Sequence, residues 1–166
     1  MDQTPSIDLL LRTIDQGYDR KSWHGTTLRG SLRGVSAEEA AWRPGPDRHN
    51  IWELAVHAAY WKYSVLRRLR GGERGSFPLE GSNWFPRPVD PGSLGDPGDD
   101  RAWKQDLSLL GQMHRDLRAA VATLTEEDLL KVPAGGATTV SDLVVGVAFH
   151  DIYHAGQIQL IKRLRS

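Results

Sequence analysis

Leu143-Val144-Val145-Gly146-Val147-Ala148-Phe149-His150-Asp151-Ile152-Tyr153-His154-Ala155-Gly156-Gln157-Ile158 decides how this chain is read. Leu143, Val147, His150, His154, Ile158 and Ile161 recur at intervals of three and four, the spacing of one helix face. Two histidines four residues apart therefore stack on that face, their roots roughly 6 Å apart. They stand where core residues belong. Thr139 caps the segment, and a helix is predicted over about 139–165.

Three further segments share the period. Thr4-Pro5 places an N-cap before a proline at the first helical position, and Ile7, Leu10, Leu11, Ile14 and Tyr18 follow. Leu28, Leu32 and Val35 resume the spacing, so the first helix is read over about 5–34, with a break near Trp23-His24-Gly25 left open. Asn50-Ile51-Trp52-Glu53 opens a second helix, about 51–70, whose core seam is Leu54, His57, Trp61, Val65 and Leu69. A third, about 99–124, carries Trp103, Leu107, Leu110, His114, Leu117, Val121 and Leu124. Between the second and third, residues 71–98 hold seven glycines and five prolines, which leaves no room for periodicity. Phe77, Trp84 and Phe85 in that loop argue that part of it packs down, either roofing a site or anchoring the loop.

No segment reads as a strand. The expectation is one all-α domain over residues 1–166, a four-helix bundle with a long Gly/Pro-rich loop between helices 2 and 3. A faint repeat runs through it: Val35-Ser36-Ala37-Glu38-Glu39 with Pro44 matches Leu124-Thr125-Glu126-Glu127-Asp128 with Pro133, 89 residues on.

Bulk composition narrows the function. Lys+Arg 21 balances Asp+Glu 21, which gives no electrostatic footprint for nucleic acid and no polybasic tail for a membrane. No apolar run is long enough to span a bilayer, and Met1 to Pro5 lacks the basic segment of a secretory signal, so a cytoplasmic protein is expected. The chain has no cysteine; metal chemistry must rest on His, Asp and Glu.

Three histidines, His57, His150 and His154, fall on core seams. Each neutral ring brings a donor and an acceptor into an apolar region. Spacing leaves two readings open: separately satisfied core histidines, or one shared metal ion with an open position. Two rival metal motifs fail on the letters. A di-iron bundle needs Glu three residues before His, where this chain has Leu54 and Val147. A zinc protease needs His-Glu-x-x-His, where this chain has Asp151, and Asp151 points away from His150 toward the surface or a neighbouring helix. Around the trio, His24, His114, Gln157 and Glu53 are candidates for supporting or substrate contacts. Gln157 is one turn past His154, Glu53 one turn before His57, where it also suits N-cap duty, and His24 and His114 fall at similar depth across each hairpin. His49 is assigned to solvent.

Asn50-Ile51-Trp52-Glu53-Leu54-Ala55-Val56-His57-Ala58-Ala59-Tyr60-Trp61-Lys62, followed after a long loop by His150-Asp151-Ile152-Tyr153-His154-Ala155-Gly156-Gln157-Ile158, resembles the two motif helices of the DinB-like metalloenzyme superfamily. The resemblance covers essentially the whole chain. It implies a four-helix bundle that binds one divalent metal ion, zinc or nickel, through His57, His150 and His154, often as a homodimer. It further implies a metal-dependent enzyme acting on a small-molecule substrate, a thiol-dependent S-transferase using a low-molecular-weight thiol or a hydrolase. The alternative is a non-catalytic metal-binding or stress-response protein.

Overall fold

The computed structural model describes residues 4–72, 77–88 and 100–166. Among these every named element is a helix and none is a strand: α1 (Pro5–Tyr18), α2 (Leu28–Ser31), α3 (Ala37–Ala41), α4 (Ile51–Leu69), α5 (Asp100–Val121), α6 (Glu126–Leu130) and α7 (Val140–Arg165). None of these helices is long and apolar enough to cross a membrane.

Caps set most boundaries. Asn50 Oδ1 accepts from the Glu53 N–H at 2.8 Å and starts α4, while Thr139 Oγ1 accepts from the Asp142 N–H and starts α7. Ser36 with Glu39, and Thr125 with Asp128, close reciprocal capping boxes on α3 and α6. The expected first helix is shorter than its periodicity suggests. It stops at Tyr18, and a tight turn follows through the Ser22–Gly25 bridge, with Gly25 at φ +109°. Thr27 then caps the separate α2. Leu28, Leu32 and Val35 are all buried, which explains why their spacing mimics one continuous helix. Likewise α5 ends at Val121 because Thr125 must be extended to cap α6.

The four long helices pack in the order α1–α5–α4–α7, with α7 closing back on α1. One end of the core is built around Trp52, Trp103, Leu110 and Ile158, the other around Ile7, Ile14, Leu117 and Val144. Trp52 Nε1 donates to Asp106 at 2.7 Å and Trp103 Nε1 to the Val35 carbonyl at 2.8 Å, so neither buried indole leaves a donor unpaired. At Gly17 a Cβ would lie 2.8 Å from the Ala148 carbonyl oxygen; only glycine lets α1 approach α7 this closely.

The weak repeat has a counterpart in the fold. Capped α3 and α4 reappear as capped α6 and α7, and α1 lies on α7 as α5 lies on α4. Lys62 of α4 and Asp151 of α7, 89 residues apart, form an ion pair buried between the two helices.

Candidate metal centre

Packing α4 against α7 brings His57 to His150 and His154. His57 Nε2 lies 3.1 Å from His150 Nε2, and His154 Nε2 lies 3.0 Å from the same atom. The three ligand-capable nitrogens all fall within 4.8 Å of one another. His57 and His154 are buried and His150 is half-buried.

The outward nitrogens are held separately. His57 Nδ1 is 2.7 Å from the Asn83 carbonyl oxygen, and His154 Nδ1 is 2.6 Å from Gln157 Oε1. Both partners are acceptors, so each Nδ1 carries the proton and each Nε2 presents a lone pair inward. His150 Nε2 can donate one proton to one of these lone pairs, leaving the other facing it unsatisfied. Its Nδ1 is buried without a partner. A cation at the point of convergence takes all three Nε2 lone pairs and removes the first of these faults. The donor set therefore fits a divalent metal ion.

Electrostatics keep the rings neutral. Burial pushes His150 down to about 3, reinforced by His154, His57 and Lys62. Burial takes His154 to about 4 against the hydrogen bond it donates to Gln157, and holds His57 below its ordinary value despite the Asn83 carbonyl. All three rings are thus neutral, each with one nitrogen lone pair available to ligate at neutral pH.

A strap from the loop covers α4. Asn83 sits at φ +66°, offering its carbonyl to His57 and its side-chain oxygen to Trp61 Nε1 at 3.0 Å. The next residue, Trp84, stacks on His57 with ring centroids 3.8 Å apart and on His49 at 3.6 Å. Phe77 and Phe85 pack instead on Tyr60. The loop aromatics thus divide: Trp84 lies over the cluster, and Phe77 with Phe85 anchors the chain. Residues 73–76 and 89–98 of the expected loop, and residue 99 at the start of the expected third helix, lie outside the described residues.

The remaining candidates separate cleanly. Gln157 reaches His154, not a free position. Glu53 is hydrogen-bonded to residues other than His57. Its carboxylate is gripped by Arg43, accepts from His49 at 2.9 Å and from the Arg87 N–H at 3.2 Å. Burial would raise that carboxyl, but these bonds outweigh it and hold it below the usual carboxylate range. Its link to the cluster runs through His49 and Trp84. His49 is therefore not a free solvent residue, because one face is stacked and Nδ1 is bonded. His24 lies apart, bonded to the Gln16 carbonyl, and His114 stacks on Tyr18 beside Asp15. Equal depth along a hairpin did not place either ring near the cluster, because His24 lies in the turn after α1 and His114 faces α1. Asp151 is fully buried against Lys62, so of its two expected places it takes the one between helices.

Asn83 and Trp84 had no sequence signal beyond an aromatic residue in a glycine-rich loop. A family model for the DinB superfamily matches residues 21–158, a span that includes all three histidines. No curated protein matches the chain.

Proposed function

Since this chain belongs to the DinB superfamily, we propose that His57, His150 and His154 hold one divalent metal ion, zinc or nickel, in an enzyme that activates water or a small thiol against a small-molecule substrate. The observation that carries this reading is the convergence of three Nε2 atoms, two with their Nδ1 protons already committed to acceptors. When bound, such an ion supplies a Lewis-acid centre that acidifies a water or thiol at an open position.

The chain's own residues shape that centre. Asn83 and Gln157 fix the tautomers and ring orientations of His57 and His154. Neutral imidazoles leave the cation its full charge. Trp84 shields one face of His57 from water, and Trp61 borders His57 and His150. Among the described residues the group contains three ligands and no fourth, which favours an open site over a closed structural shell. The chain has no cysteine, so a thiol used here comes from a cosubstrate. Such a centre would suit either thiol-dependent transfer or hydrolysis.

Elemental analysis of protein purified without a histidine tag tests the site. Wild type is expected to carry close to one ion per chain and His154→Ala almost none; less than ~0.2 per chain in wild type sinks the reading. Turnover screens of the loaded protein with and without small thiols then separate transfer from hydrolysis.

A further inference from the structure

Helix α1 stops at Tyr18, and the chain comes back along α2 instead of continuing beside α5. The space left between the end of α1, the α2 segment and the first half of α5 is a cleft of about 870 Å³. That is the size of a small-molecule site. No residue of α4 or α7 lines it, so the cleft is separate from the histidine cluster. Its floor is apolar, made of Leu32, Trp103, Leu107 and Leu110.

Tyr18 reaches this cleft by one edge. The residue is 5% exposed, and His114 stacks on its ring with centroids 4.0 Å apart. A ring stacked that closely leaves only the opposite face for the Lys62 ammonium, which sits 5.1 Å from the centroid. With both faces taken, the outer edge and its hydroxyl are what line the cleft. That hydroxyl lies against α5 where residue 111 is glycine; a Cβ there would stand 3.5 Å from it. It has no hydrogen-bond partner among the described residues. Burial pushes Tyr18 up to about 12, so it remains a neutral donor.

Charge at the rim is unbalanced. Arg29 pairs with Asp19 at 3.3 Å, and Asp100 accepts from the Ala37 N–H at 3.3 Å. Arg33 and Lys104 line the same opening and have no acidic partner among the described residues. Three cations against two carboxylates leave one surplus positive charge, which matches a monoanion better than a doubly charged phosphate. We propose that this cleft binds a small organic carboxylate with an apolar body, a ligand site apart from the histidine cluster. The carboxylate accepts from the Tyr18 hydroxyl and is neutralised by Arg33 and Lys104, whose exposed side chains fold over it, while the body lies on Trp103 and Leu32.

Calorimetric titration of the whole chain with 1-naphthoate tests the site. One molecule per chain is expected to bind, with a dissociation constant on the order of 100 µM. The uncharged 1-naphthalenemethanol and the double variant Arg33→Ala/Lys104→Ala should each weaken binding at least ~10-fold, and Tyr18→Phe by ~3–10-fold at unchanged helix content. His154→Ala should bind naphthoate as wild type does, whatever its metal content. The proposal is overturned by wild type that shows no saturable binding up to ~5 mM, by equal affinity for the alcohol, or by affinity that survives Arg33→Ala/Lys104→Ala. Binding lost in His154→Ala would put the carboxylate on the metal and overturn it too. Undiminished affinity in Tyr18→Phe removes the hydroxyl from the site.

Discussion

Lys62 and Asp151 pair in the interior, with side-chain exposures of 1% and 0%. They occupy matching positions in the two halves of the chain and lie next to Trp61 and His150. Burial pushes the Asp151 carboxyl up, against the pull of the Lys62 ammonium. Lys62 also sits 5.1 Å from the Tyr18 ring centroid, so α1 takes part in enclosing it.

Breaking such a pair strands a charge. Lys62→Met is expected to destabilise the metal-free protein by about 3–5 kcal/mol in urea unfolding, since a lone carboxylate is left without solvent. Removing both charges, in Lys62→Met/Asp151→Ala, should recover most of that loss, and the coupling appears in the double-mutant cycle. Strictly additive losses would mean that the pair is not the source.

Gln157 acts on the metal through His154. Gln157→Leu deletes the acceptor for Nδ1 while keeping the helix. A 10–100-fold loss of zinc affinity, measured by competition with a chromogenic chelator, is expected with little change in thermal stability. Affinity within twofold of wild type would remove Gln157 from the site.

Metal binding should stabilise the fold, because the ligands come from α4 and α7 and converge only when both are packed. Adding zinc to chelator-treated protein at 100 times its dissociation constant should raise stability by about 2.7 kcal/mol. His154→Ala should show almost none of this increment in the same calorimetric titration. Equal gains in both proteins would point to binding elsewhere.

Acid should weaken the metal-free fold in a window set partly by His114. Burial, with Lys62, Arg118, Arg115 and Arg29 nearby, lowers this ring from 6.5 to about 3. Asp15 is 3.4 Å away, but its carboxylate is engaged by Arg118. Between those values the unfolded chain holds a proton that the folded chain excludes, so stability falls as pH drops below about 6.5 and has no slope from this group above it. His57, His150 and His154 act in the same direction. His114→Phe should therefore lose less stability than wild type between pH 7.5 and 5, by at most about 2 kcal/mol in urea unfolding. Identical pH profiles would exclude the contribution.

The sequence by itself determined the helices and the histidines' faces. Caps at Asn50 and Thr139 are local grammar, and each starts a helix at the expected residue. The three- and four-residue spacing put His57 and His154 inside, because one helical turn contains all the information needed to say which way a side chain points. The same locality misled at Leu28, Leu32 and Val35, whose spacing survives a turn and a new cap.

Tertiary structure decided the rest. Lys62 and Asp151 read alone as ordinary charged helix residues; only the packing of α4 on α7 removes both from water and makes them each other's counter-ion. Asn83 and Trp84 come from a stretch without period, so nothing in the letters says that one orients His57 and the other stacks on it. Tautomers, desolvation and pairing depend on groups that arrive from far along the chain. Residue order fixes a side chain's direction within a turn, but its solvent and its partners are set by whatever the fold brings to it.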